Sequence, residues 1–86
     1  MYVDLLYAYN EIYKMKKHDI LIRFGSKIKQ LRIEKGWSQE ELAYKADFHR
    51  TYIGMIERAE RNISLRNIGK LAQTFNLKIE HLFKDI

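Results

Sequence analysis

The chain has no cysteine and no proline. Without cysteine there is no disulfide to staple a small fold and no thiolate to hold a metal, a composition that suits a reducing compartment. Without proline no amide is lost from a helix interior, so nothing in the backbone opposes an all-helical chain. Uncharged apolar runs stay far below the ~20 residues that cross a bilayer. No basic leader precedes an apolar stretch, so no signal peptide is expected. The three histidines, His18, His49 and His81, stand far apart, outside the ligand spacing of a zinc site. Acid pairs, a nucleophile beside a base, and a phosphate-cradling glycine loop are missing too, which sets enzyme chemistry aside. The expectation is a soluble, cytoplasmic protein with no cofactor, no metal, no membrane contact and no small-molecule ligand.

What is present is compact and basic. The chain has 86 residues, 47% of them hydrophobic, enough for one domain with a core and too many for a disordered chain. The formal net charge of +5 is compatible with nucleic acid or an anionic surface and is weak evidence by itself.

The most informative stretch is residues 38–59, SQEELAYKADFHRTYIGMIERA. Ser38 is a good N-cap, and Glu41 three residues later completes a capping box. Leu42, Ala43 and Ala46 then share one helical face. That helix should stop near Asp47. A second should start at His49 or the residue before it, with Phe48, Tyr52, Ile53 and Ile56 turned inward. Two helices this short cannot bury their apolar faces alone and must lean on flanking ones.

A small Ala43 inside the first helix, a three-residue turn, then Ile53 and Ile56 before Glu57-Arg58 resembles the helix-turn-helix of the lambda-repressor-like (Cro, or xenobiotic-response-element) family. The likeness runs from about Phe24 to Phe83. The string Ala43-Tyr-Lys-Ala-Asp-Phe-His-Arg-Thr-Tyr-Ile53, followed by Ile56-Glu-Arg and Arg61-Asn-Ile-Ser64, is similar to the controller proteins of restriction-modification systems. The resemblance implies an all-α fold of five helices over residues 19–86. Residues 1–18 form an N-terminal extension, expected to be helical.

In the extension, Leu5, Leu6, Tyr9, Ile12 and Tyr13 recur at helical spacing, which predicts an amphipathic helix. Three readings of it stay open: a helix covering the domain or a dimer surface, a mobile arm, or a consequence of start-site choice, since Met15 opens a segment like an ordinary family N-terminus. Asp19 can cap a helix reaching Lys35, with Ile20, Leu21, Phe24, Ile28 and Leu31 on its core stripe. Gly25 inside it, about 1 kcal/mol worse than alanine, points to close packing against a neighbour. Gly36 ends the helix in the left-handed conformation, and the Trp37 ring is expected to be largely buried. Ser64 caps a helix carrying Leu65, Ile68, Leu71, Ala72 and Phe75, and Asn76 stops it. A short last helix carries Ile79, Leu82, Phe83 and Ile86.

An α-helix fits the major groove, and its first residues meet base edges. Here those are His49, Arg50, Thr51 and, a turn later, Met55. Arg50 can fork onto guanine, Thr51 can donate to a base or touch a thymine methyl, and Met55 can make apolar contact. His49 can equally be a plain helix cap and Tyr52 a core residue. The resemblance implies base and backbone contacts for Arg50, Thr51 and Tyr52, and backbone contacts for Arg58, Arg61 and Asn62. Ser38 and Gln39 open the motif's first helix, where amide dipoles favour a phosphate. Ser64, Arg66, Asn67 and Lys70 are further candidates. The resemblance also implies a partly buried structural ion pair between Arg32 and Glu57.

One monomer reads too few base pairs for specificity. The family answer is a homodimer on a near-palindrome of double-stranded DNA, with half-sites ~34–36 Å apart. Leu77, Ile79, Leu82, Phe83 and Ile86 are the candidate dimer interface, with closing the core as the plainer use. The leading function is a transcription regulator, the controller of a restriction-modification operon. A phage-type repressor, an antitoxin regulator, or a helix-turn-helix interaction module without DNA binding are the alternatives.

Overall fold

The computed structural model describes the backbone of residues 2–86, with side chains for Leu5, Ala8 and residues 20–86. Five helices follow one another: α1 (Tyr2–Glu34), α2 (Gln39–Ala46), α3 (Arg50–Glu57), α4 (Leu65–Thr74) and α5 (Ile79–Leu82). There is no strand among the described residues.

The extension is not a separate helix. α1 runs unbroken from Tyr2 through Asp19 to Glu34, so the expected cap at Asp19 does not form. Aspartate caps a helix only where the preceding backbone leaves helical geometry. Residues 11–18 are mostly straight-chain or aromatic residues, without glycine or proline to force that departure. Leu5 is exposed. The expected stripe of Leu6, Tyr9, Ile12 and Tyr13 lies outside the described side chains.

Four of the helices end in the same way. Gly36, Asp47, Ala59 and Asn76 all have positive φ, between 57° and 73°. In each case the left-handed residue and its successor send their amides back to two orphan carbonyls. Gly36 donates to Ile33 and Trp37 to Arg32, at 2.9 and 3.1 Å. Asn76 donates to Gln73 and Leu77 to Ala72, at 3.0 and 2.8 Å. This left-handed closure satisfies the helix terminus and turns the chain sharply. It stops α2 at Asp47 and folds α3 back after Ala59. At the opposite ends Ser38 makes the full capping box with Glu41, and Ser64 accepts from the Asn67 amide at 3.2 Å.

The core gathers one or two turns from every helix. Phe24 and Ile28 come from α1, Leu42, Ala43 and Ala46 from α2, and Ile53 and Ile56 from α3. Ile63, then Leu71, Ala72 and Phe75 of α4, and Leu82 of α5 complete it. No charged or polar residue is fully buried among those described. Gly25 is where α1 meets α3. A Cβ there would collide with the Ile56 carbonyl oxygen and stand 3.0 Å from that of Glu57. The backbones therefore approach as closely as only glycine allows.

Four apolar residues sit differently from expectation. Ile20 is 44% exposed, because the buried stripe of α1 begins only at Phe24. Leu65 is 75% exposed; as the first residue of α4 it precedes the face that packs. Trp37 is half-buried, its ring stacked on Phe75 at 5.7 Å with Lys45 over it at 5.0 Å. Leu82 is fully buried, so it closes the core and cannot form an interface.

Candidate nucleic-acid interface

Within the motif, α2 lies behind α3 and holds it by Leu42, Ala43 and Ala46 against Ile53 and Ile56. With those two residues turned inward, the opposite side of α3 carries its polar residues outward. Arg50 and Thr51 are exposed on the first turn, and Met55 is half-exposed a turn later. His49 is the N-cap: its Nδ1 accepts from the Thr51 amide at 3.2 Å. The imidazole thus does the work of a serine or aspartate cap while remaining exposed.

Gln39, Arg50, Thr51, Gly54 and Arg58 line a shallow groove of about 220 Å³. The start of α2 and the outward face of α3 therefore share one concave surface with two guanidinium groups on it. Gln39 is partly committed. Its Nε2 donates to Glu57 Oε1 at 3.1 Å, leaving the second amide hydrogen and the carbonyl for other partners.

Behind this surface Arg32 and Glu57 form a two-point fork, Nε to Oε2 at 2.7 Å and Nη2 to Oε1 at 3.0 Å. Their side chains are only 12% and 3% exposed. Arg32 Nη1 also donates to the Trp37 carbonyl at 2.9 Å. One guanidinium thereby ties the end of α1, the turn into α2 and the last turn of α3. The hydrogen bond to Glu57 raises the Arg32 guanidinium above its ordinary value, so this charge is permanent.

Tyr52 serves two purposes. Its ring meets Phe48 edge-on at 5.1 Å, and its hydroxyl accepts from Asn67 Nδ2 at 3.0 Å. The hydroxyl hydrogen is left to donate. Arg61 lies over the same ring, 5.7 Å from its centroid, a cation–π contact that keeps the guanidinium beside α3. Asn62, Ser64 and Arg66 are exposed. Lys70 is turned away, over the Phe48 ring at 4.7 Å and toward the Asp47 carbonyl at 3.4 Å. Ser38 is exposed, but its hydroxyl is occupied as the α2 cap.

One side-chain contact beside α3 was not foreseen. Arg58 is held by Glu60, Nε to Oε2 at 3.0 Å and Nη2 to Oε1 at 3.2 Å. The Arg58 hydrogen bonds hold the Glu60 carboxyl below its ordinary value. The run Glu57-Arg-Ala-Glu-Arg61 contains the signal, but two acids compete for Arg58 in it. With Glu57 held by Arg32 as expected, the folded turn leaves Arg58 to Glu60.

Of the expected interface residues, Ile79 is 44% and Phe83 38% exposed. Phe83 also stacks on Phe24 at 5.3 Å. Leu77 and Ile86 pack partly against the core.

A helix-turn-helix family model (HTH_3) matches residues 28–82. Control protein C.MunI from Mycoplasma sp is 46% identical over 70 residues, covering 80% of this chain and 95% of that one. The crystal structure of the restriction-modification controller protein C.AhdI from Aeromonas hydrophila superposes with a TM-score of 0.73. It is 42% identical, and the match covers 77% of this chain and 96% of that one. The controller protein C.Esp1396I, crystallised as a tetramer on its natural 35 base-pair operator, gives a TM-score of 0.69 at 36% identity. That match covers 74% of this chain and 84% of that one. No described helix is long and apolar enough to cross a membrane.

Proposed function

The chain belongs to the helix-turn-helix family, among the controller proteins of restriction-modification systems, and is a DNA-binding transcriptional regulator; from that premise we propose that it reads a near-palindromic operator as a two-fold dimer, α3 lying in the major groove. The observation that carries the reading is the shared groove of Gln39, Arg50, Thr51, Gly54 and Arg58. It sets exposed donors along one side of a helix whose other side is locked into the core.

In this reading Arg50 forks onto a guanine edge and Thr51 meets a neighbouring base or thymine methyl. Met55 supplies apolar contact one turn deeper. His49 caps the helix and lies at the groove edge. Gln39, Tyr52, Arg58, Arg61 and Asn62 take phosphates on either flank, which fixes register without reading sequence. Ser38 contributes through its cap, orienting the α2 amides toward a phosphate. Its site of action is the cytoplasm, where such an operator is found.

For the dimer we propose Ile79 as the centre of the surface, with Phe83 at its edge and Leu65 as an addition. The support is continuity. Leu65 and Gly69 stand one turn apart on α4, and a Cβ on Gly69 would lie 4.0 Å from Ile79 Cδ1. Leu65 and Ile79 therefore both border Gly69. Apolar side chains this exposed in one patch mark a protein contact.

The test is gel retardation of DNA from upstream of its own gene. Wild type is expected to retard it, and the double variant Arg50→Ala, Arg58→Ala is expected to lose binding while remaining a dimer. Failure of the wild type to retard any such duplex would remove the DNA reading.

A further inference from the structure

Arg58 closes α3, and its guanidinium lies back over that helix. A Cβ on Gly54 would stand 3.0 Å from Arg58 Nη1, so the guanidinium lies directly over Gly54 on the outward face of α3. It lines the groove beside Arg50 and Thr51. It does not arrive there alone. Glu60 grips it at two points, and the two side chains are 57% and 51% exposed.

The two acids near α3 are unequal. Glu57 is 3% exposed and satisfied by Arg32 and Gln39. It is spent on structure and faces inward. Glu60 lies on the solvent side, in the loop that turns away from α3, and among the described residues its carboxylate is paired with Arg58 alone. The geometry of that fork, two parallel N–H···O bonds to two oxygens, is also the geometry in which arginine takes a phosphate.

We propose that Glu60 is an affinity-setting residue, an intramolecular stand-in for a DNA phosphate that occupies the Arg58 fork in the free protein and must be displaced before Arg58 joins a duplex. This inference rests on the reading of α3 as the recognition helix. Its physical basis is exchange. A free cation that reaches a phosphate releases condensed counterions and adds about 0.9 to the slope of log affinity against log salt. A cation that must first leave a carboxylate gains less, because salt weakens the pair it leaves as well as the one it forms.

The test is a fluorescence-anisotropy titration at 50 to 200 mM salt. The probes are a duplex from upstream of the gene and a scrambled duplex of the same composition. The proteins are wild type, Glu60→Gln, Arg58→Ala and the double variant. Glu60→Gln is expected to bind both duplexes more tightly, by about two- to fivefold at the low-salt end, the worth of an exposed ion pair. Its salt slope should steepen by up to about 0.9. In the Arg58→Ala background the same substitution should change neither quantity appreciably, because the coupling runs through Arg58. Melting temperature should not move with Glu60→Gln. Unchanged or weaker binding by Glu60→Gln would overturn the proposal while leaving the recognition helix in place. An equal gain in the Arg58→Ala background would also overturn it, assigning the effect to general charge. If wild type and Glu60→Gln bind neither duplex at 50 mM salt, the proposal and the DNA reading fall together.

Discussion

Gly25 of α1 lies so close to Ile56 of α3 that a single methyl on Gly25 would overlap the Ile56 carbonyl oxygen. The obstacle is backbone on both sides, so no rotamer change relieves it. Gly25→Ala is therefore expected to destabilise the domain by roughly 2 kcal/mol or more, against the ~1 kcal/mol gain that alanine usually brings to a helix interior. Gly69 is the control. Its nearest neighbour is the flexible end of Ile79 at 4.0 Å, so Gly69→Ala should be neutral or stabilising in the monomer. Thermal unfolding of the two variants checks both, and equal melting temperatures would contradict this account of how α1 seats α3.

Glu57 and Glu60 flank the same turn yet differ in consequence. Glu57→Ala leaves the largely buried Arg32 guanidinium without its carboxylate, a loss of about 3 kcal/mol or more. In a domain this small that lowers Tm by more than about 10 °C. Glu60→Ala removes an exposed partner and is expected to leave Tm where it is. The comparison requires only two melting curves, and coincident curves would count against the pair as the tie between α1 and α3.

Ala59 holds a left-handed conformation, φ 61°, that costs an L-residue about 1–2 kcal/mol. Glycine adopts it freely but is more flexible unfolded. Ala59→Gly is expected to raise stability by about 0.5–1 kcal/mol, read as a few degrees in Tm. A fall would mean that the Ala59 methyl contributes packing that outweighs the strain.

Ile79 and Leu82 separate assembly from folding. Ile79→Glu puts a charge on the proposed interface and should yield a monomer with unchanged helical content by circular dichroism. Leu82→Ala empties a core position and should cost about 2–5 kcal/mol in stability. Sedimentation equilibrium distinguishes them. A dimer that survives Ile79→Glu would place the interface elsewhere.

The motif itself was readable because its signals are local. The Ser38–Glu41 capping box, the stop at Asp47 and the left-handed closures at Gly36 and Asn76 each depend on a few neighbouring residues, and each forms. What was not readable depended on absence or on distance. The fusion of the extension to α1 follows from nothing breaking the helix before Asp19, and a cap signal cannot report that. α5 spans only Ile79–Leu82, too short for periodicity to set its phase. Docking decides which of its apolar residues faces inward, and Leu82 does. Leu65 has a core residue's chemistry and lies outside because α4 begins with it. At the site, the donors could be named from their positions along α3. The grip of Glu60 on Arg58 could not, because the two are brought together by the left-handed turn at Ala59, which alanine does not signal.

The most direct test of the central claim, that α3 reads a duplex through Arg50 and Thr51, is hydroxyl-radical footprinting on DNA upstream of the gene. Two protected patches on one face of the duplex, centred ~34–36 Å apart, are expected with wild type. Arg50→Ala should weaken them by about 1–3 kcal/mol without lowering Tm. Protection that Arg50→Ala leaves unchanged, or none at any protein concentration at low salt, would contradict the claim.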